Sequence, residues 1–294
     1  MMNRIHFSKA LCMNISTYDN LNGHGEQIVF LLKTVFNLFL KHTSEKLSIQ
    51  CERMNHRVQS SIFEEKKLTK IYELILQGEV LELIIEDREG SDINNERSYP
   101  PEFSLVLMCN HAATYSLPDD KKFNFANGLS ISLNESLFTD NLIPSSVQEN
   151  FINLFITILK SINGAMGYIT FETAAAYIVG GTLFENYHRI NTNLAPGYTK
   201  YVSGYHWMNF LNSNQISQLG GHEWICNNAP CKVIPIDPHG LILQLSDNVN
   251  NYSDNQLLEL REFLSPLFHP GVGKSGPLIF EDGYYHRLVE IQVL

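Results

Sequence analysis

The segment Gly271-Val272-Gly273-Lys274-Ser275 is the stretch most like a catalytic motif, because it ends as a phosphate-cradling loop does. That loop needs a further glycine where Phe268 stands, since its backbone must wrap the phosphates closely. Gly276-Pro277 also forbids the helix that should open after the serine. Glu185 and His188, at i and i+3, would share one helical face like one arm of a carboxylate metal site, but no second arm exists. The 11 histidines include no H-x-x-x-H or H-x-H. His206, His222 and His239 lie in one region, yet His206 adjoins the core-type Trp207 and His239 sits in a turn, so packing and loop roles suit them better than ligation. No G-x-S-x-G occurs, and Ser203 in Tyr201-Val202-Ser203-Gly204 lacks the first glycine and a strand-to-helix context. Cys12, Cys51, Cys109, Cys226 and Cys231 lie in or beside apolar segments, without a neighbouring His or Lys to stabilise a thiolate. They form no C-x-x-C, which speaks for buried free thiols in a reducing compartment. The expectation is therefore no cofactor, no metal and no catalytic residues. The alternative is a small-molecule hydrolase or transferase whose site assembles from distant residues.

The elements that would carry any site can be read from hydrophobic periodicity. Glu26 to Lys41 and Ser61 to Gln77 read as helices, with Ile28, Leu32, Val35, Phe36 and Phe39 on one stripe and Leu68, Ile71, Tyr72 and Ile75 on the other. Val80 to Asp87, Phe103 to Cys109 and Leu129 to Asn134 alternate with period two and predict an antiparallel meander. Val147 to Ile162 is a wide apolar helix, with Ser146 and Glu149 at capping-box spacing, followed by a strand from Met166 to Phe171. Thr173 to Arg189 reads as helix and Tyr198 to Tyr205 as strand. Short helices are expected at Trp207 to Leu211 and Ser213 to Leu219. Cys231 to Ile236 and Gly240 to Leu245 form a hairpin through Asp237-Pro238-His239. Asp254 to Ser265 is a helix, and Pro277 to Phe280 with Tyr284 to Val293 a last hairpin. The fold class is α+β, mainly antiparallel sheets with packed helices. The expected organisation is an N-terminal helical or extended segment, 1–57, and an α+β domain, 58–294, divisible into related halves 58–190 and 197–294.

Composition narrows the ligand. A hydrophobic content of 44% in a chain of 294 residues supports a large core rather than disorder. With 21 Lys+Arg against 31 Asp+Glu the formal net charge is −10, which repels nucleic acid and anionic membrane and attracts basic surfaces. The opening residues have no apolar core of a signal peptide, and Ile28 to Leu40 is too short to span a bilayer, so a cytoplasmic location is expected.

One stretch carries a resemblance. Trp207-Met208-Asn209-Phe210-Leu211 leads to Leu219-Gly220-Gly221, then to Pro230-Cys231-Lys232-Val233, Gly240-Leu241-Ile242-Leu243-Gln244-Leu245 and Leu264-Ser265-Pro266-Leu267. This order resembles the type VI secretion immunity proteins of the TsiV type. Their members carry a W-x-N-x-L segment, a helix ending in L-G-G and a strand like G-L-L-L-Q. The resemblance covers roughly 148–268, with the first 80 residues divergent. It implies a cytoplasmic antidote that binds a cognate toxin delivered by type VI secretion, with a VRR-NUC-type DNase as the expected effector. Trp207, Asn209, Leu211, Leu219, Gly220 and Gly221 are expected to build the scaffold. Partner binding is expected from acidic and aromatic loops, namely Glu86, Asp87, Glu89, Asp92, Glu96 and Tyr99, and Glu281, Asp282, Tyr284 and Tyr285. Tyrosines beside acids suit a hot spot facing a basic nuclease cleft.

Overall fold

The computed structural model describes residues 9–40, 47–55, 57–87, 101–110, 127–173, 199–202 and 204–268. Among these residues ten strands form one antiparallel sheet. In chain order they are β1 (Lys9–Thr17), β2 (Leu47–Arg53), β3 (Val58–Ile62), β4 (Val80–Asp87), β5 (Phe103–Met108), β6 (Asn127–Asn134), β7 (Gly164–Thr173), β8 (Met208–Asn212), β9 (Lys232–Ile236) and β10 (Gly240–Gln244). Across the sheet the order is β3-β2-β4-β5-β6-β1-β7-β8-β10-β9. The predicted meander is β4-β5-β6, and β1 lies beside it, paired with both β6 and β7. This is the α+β class.

Alternation explains one face. Leu11, Met13 and Ile15 of β1 align with Leu133, Ile131 and Leu129 of β6. With Leu105, Leu107, Leu83 and Ile85 they are all buried. Three amphipathic helices supply the opposing apolar stripes: α1 (Gly25–Phe39), α2 (Glu65–Leu76) and α3 (Ser145–Ser161). Phe39 of α1 meets Phe151 of α3 edge-on at 4.9 Å between centroids, and Phe36 meets Phe63 at 5.8 Å. Each such side chain, fully buried, contributes about 1.5–3 kcal/mol.

After β8 come α4 (Ser213–Gln218), α5 (His222–Asn228) and, following β10, α6 (Asp254–Leu264). Buried polar groups join these parts. Gln148 of α3 donates from Nε2 to Ile143 O at 2.7 Å and accepts the Val249 N–H at 2.9 Å, tying α3 to the chain beyond β10. Asn212 accepts the N–H groups of Asn214 and Gln215 and donates to Ala165 O at 2.7 Å, while Gln215 returns a bond to the Asn212 N–H. That capping box starts α4 and anchors it to β7.

Several expectations require correction. The helix predicted from Ser61 begins at Glu65, because Val58–Ile62 is extended and pairs with β2. The helix predicted at Trp207 to Leu211 is strand β8, buried on both faces, so no period-two signal survives. The strand predicted from Tyr198 to Tyr205 reduces, among its described residues, to an isolated bridge between Val202 and Phe268. Ser146 and Glu149 form no capping box. Pro144 occupies the N-cap of α3, so Ser146 already lies inside the helix and makes no cap bond. Residues 174–189 and the hairpin predicted within 277–293 lie outside the described residues.

Candidate functional site

Of the residues expected to bind a partner, Glu86 and Asp87 are described, and both are half-buried at the end of β4. Glu89, Asp92, Glu96, Tyr99, Glu281, Asp282, Tyr284 and Tyr285 lie outside the described residues. Glu86 points away from α1, α2 and α3, because alternation sends Leu83 and Ile85 toward those helices. It shares its face with Glu82 and Ile84. Register places Ser48, Gln50 and Glu52 of β2 opposite Glu86, Ile84 and Glu82, and Ser104, Val106 and Met108 of β5 opposite the same three. Directly opposed side chains in an antiparallel pair stand about 5 Å apart. The result is a half-buried apolar centre, Ile84, Val106 and Met108, with carboxylates at its margins.

Electrostatics within this patch are unfavourable by construction. Burial raises the Glu82 carboxyl above its ordinary range, and the charge of Glu52 across the ladder raises it further. Burial likewise raises Glu86, with Asp87 adding to the effect. Each ionised carboxylate is thus short of solvent and beside a like charge, a state that an approaching cation relieves. Sequence reasoning singled out Glu86 and missed Glu82, Glu52 and the apolar centre. The alternation along β4 contained that signal, but its polar positions read only as the solvent side.

The expected scaffold residues cluster at the other end of the sheet. Trp207 and Leu211 are fully buried and Leu219 nearly so. Trp207 Nε1 donates to Ser246 O at 2.9 Å, and Asn209 closes a loop by donating to His206 O and accepting the His206 N–H. Gly220 and Gly221 have φ of 103° and 94°, a region L side chains rarely adopt, and they separate α4 from α5. His206 is buried and stacks on Tyr168 at 4.1 Å; His239 lies in the β9–β10 turn.

One chemical reading fails. Cys226 does have a neighbouring histidine, because α5 brings His222 Nδ1 within 3.6 Å of its sulfur at i, i+4. Local sequence inspection overlooked the helix that makes this pair. Burial drives the thiols of Cys109 and Cys231 up to about 12, so neither is a nucleophile near neutrality. Among the described residues no three His, Cys, Asp or Glu side chains could hold a metal, and no helix is long and apolar enough to cross a membrane. A groove of about 470 Å³ runs between α1 and α3, lined by Phe30, Leu31, Leu154 and Ile158, with Glu26 its one titratable group. Its lining offers no acid–base pair.

No protein-family model matches the chain, and neither does any curated protein. Among solved structures, the Pseudomonas aeruginosa T6SS protein PA0821 is similar, with a TM-score of 0.59 and 11% identity. The match covers 97% of this chain and 81% of that one. At this identity the likeness is one of fold, and it extends over nearly the whole chain rather than the second half alone.

Proposed function

We propose that this chain is an immunity protein of type VI secretion that binds a cognate effector, a VRR-NUC-type DNase, and occludes its active site. The observation that carries the reading is the patch of Ile84, Val106 and Met108 bordered by Glu82 and Glu86. An apolar centre with a charged margin is the anatomy of a protein-binding surface. Its carboxylates, Glu82 repelled by Glu52 and Glu86 by Asp87, favour a basic counterpart, such as a cleft built to hold phosphates. The net charge of −10 steers the same kind of partner. The fold shared with a T6SS protein supports the secretion context, and the Trp207 to Leu245 resemblance supports the immunity role.

The experiment is co-expression with a cognate VRR-NUC-type DNase effector in a susceptible host. The parent chain restores growth, and Glu82→Lys with Glu86→Lys abolishes protection at equal soluble abundance. Protection by the double variant equal to that of the parent would refute the patch as the binding surface. Growth arrest undiminished by the parent would refute the immunity role itself.

A further inference from the structure

Among the described residues the sheet has two edges, and they are built differently. β9, Lys232-Val233-Ile234-Pro235-Ile236, carries a charge and a proline, both of which discourage another strand from pairing. β3, Val58-Gln59-Ser60-Ser61-Ile62, carries neither, and Val58 and Ile62 are each 55% exposed.

The backbone direction of β3 follows from its flanks. Arg53 N–H donates to Arg57 O at 3.0 Å, and Phe63 N–H donates to Leu47 O at 2.8 Å. The register between β2 and β3 is unbroken, so Gln59 and Ser61 also face β2. The N–H and C=O groups of Val58, Ser60 and Ile62 therefore point outward from the sheet. Lys67 Nζ reaches the outermost of these, donating to Ile62 O at 3.0 Å and leaving that carbonyl a second lone pair.

The geometry points to β3 as the interface of a two-fold homodimer, in which β3 pairs antiparallel with β3 of a second copy about an axis at Ser60. In this register Ser60 meets its own counterpart, and Val58 meets Ile62 of the second copy. All three are residues whose polar groups point outward, so each pair exchanges both of its backbone bonds. The exposed apolar side chains of Val58 and Ile62 stand at symmetric positions and cover one another across the seam. An uncharged strand lays no like charges against itself, and an isologous contact needs only this self-complementarity. A strand this short buries less than a standard interface, so the dimer is reversible and concentration-dependent. Such pairing is independent of which protein the acidic patch binds.

Sedimentation velocity on the full chain over a wide concentration range tests this. The parent's average mass rises from one copy toward two. Ser60→Pro removes the donor at the axis without touching a bond to β2, and it remains one copy throughout. Val58→Lys with Ile62→Lys sets lysine against lysine and is also monomeric, whereas Val58→Lys with Ile62→Glu sets lysine against glutamate and recovers the dimer. Should Ser60→Pro fail to fold, the two charge variants carry the test. A parent that stays monomeric at every concentration overturns the proposal, as does a lysine–glutamate variant no more dimeric than the lysine pair. A monomeric parent whose effector binding is lost on Ser60→Pro also overturns it, since the edge then serves a strand of another protein.

Discussion

The two ends of the sheet use their second face in opposite ways. Around β8 and β10, Trp207, Leu211, Leu241 and Leu243 are fully buried, although the alternate face of these strands, at Phe210, already packs toward α3 through Gly164 and Gly167. Leu219, Ile225, Leu257, Leu260 and Leu264 belong to the same core. Around β2, β4 and β5 the face turned away from the helices holds Gln50, Glu82, Ile84, Glu86, Val106 and Met108, all half-buried. The first region is closed on both sides, which fixes its shape. The second leaves one side half-exposed. The difference teaches that the recognisable sequence motif and the proposed binding patch are separate, several strands apart.

The sharpest break between the regions comes from Trp207→Ala. Removing the largest fully buried side chain should cost about 3–5 kcal/mol, read as a fall in the denaturant midpoint. A loss under about 1 kcal/mol would remove Trp207 from the scaffold. Asn212→Ala should be milder, about 1–2 kcal/mol, from the lost N-cap of α4 and the lost bond to Ala165 O. Its effect should be matched by Gln215→Ala if the capping box acts as one unit; clearly different losses would show independent roles.

The patch responds to pH instead. Because Glu82 and Glu86 are raised in the folded chain, it binds more protons than the unfolded chain between the ordinary and the raised values. This contribution to stability is therefore full below the ordinary carboxylate range and is lost as pH rises through the raised values. Glu82→Gln with Glu86→Gln should gain stability over the parent at neutral pH and no advantage in acid. The gain should stay below about 1 kcal/mol, since both side chains are half exposed to screening solvent. An equal difference at both pH values would deny the origin in ionisation.

Much of the architecture was legible in the residues. The β4-β5-β6 meander, the stripes of α1, α2 and α3, and the β9–β10 hairpin all follow from periodicity and turn chemistry. β1 alternates Leu11, Met13 and Ile15 with Cys12, Asn14 and Ser16, but Cys12 and Ser16 are buried as well, so the alternation marks no solvent face. β8 reads as helix in the sequence for a physical reason, since a strand buried on both faces has no period to show. The candidate site was legible only at Glu86 and Asp87. Its remainder joins β2, β4 and β5, and cross-strand register cannot be read from one strand at a time.

In the proposed division of roles the half-buried acidic patch on β4 and β5 binds the effector while the Trp207 region holds the fold. Calorimetric titration of the cognate effector with the Glu82→Lys, Glu86→Lys variant, beside thermal unfolding of the same sample, separates these two roles. The expected result is at least about a tenfold weaker Kd, about 1.4 kcal/mol, with an unfolding temperature no lower than the parent's. Unchanged affinity in a normally folded variant would contradict it.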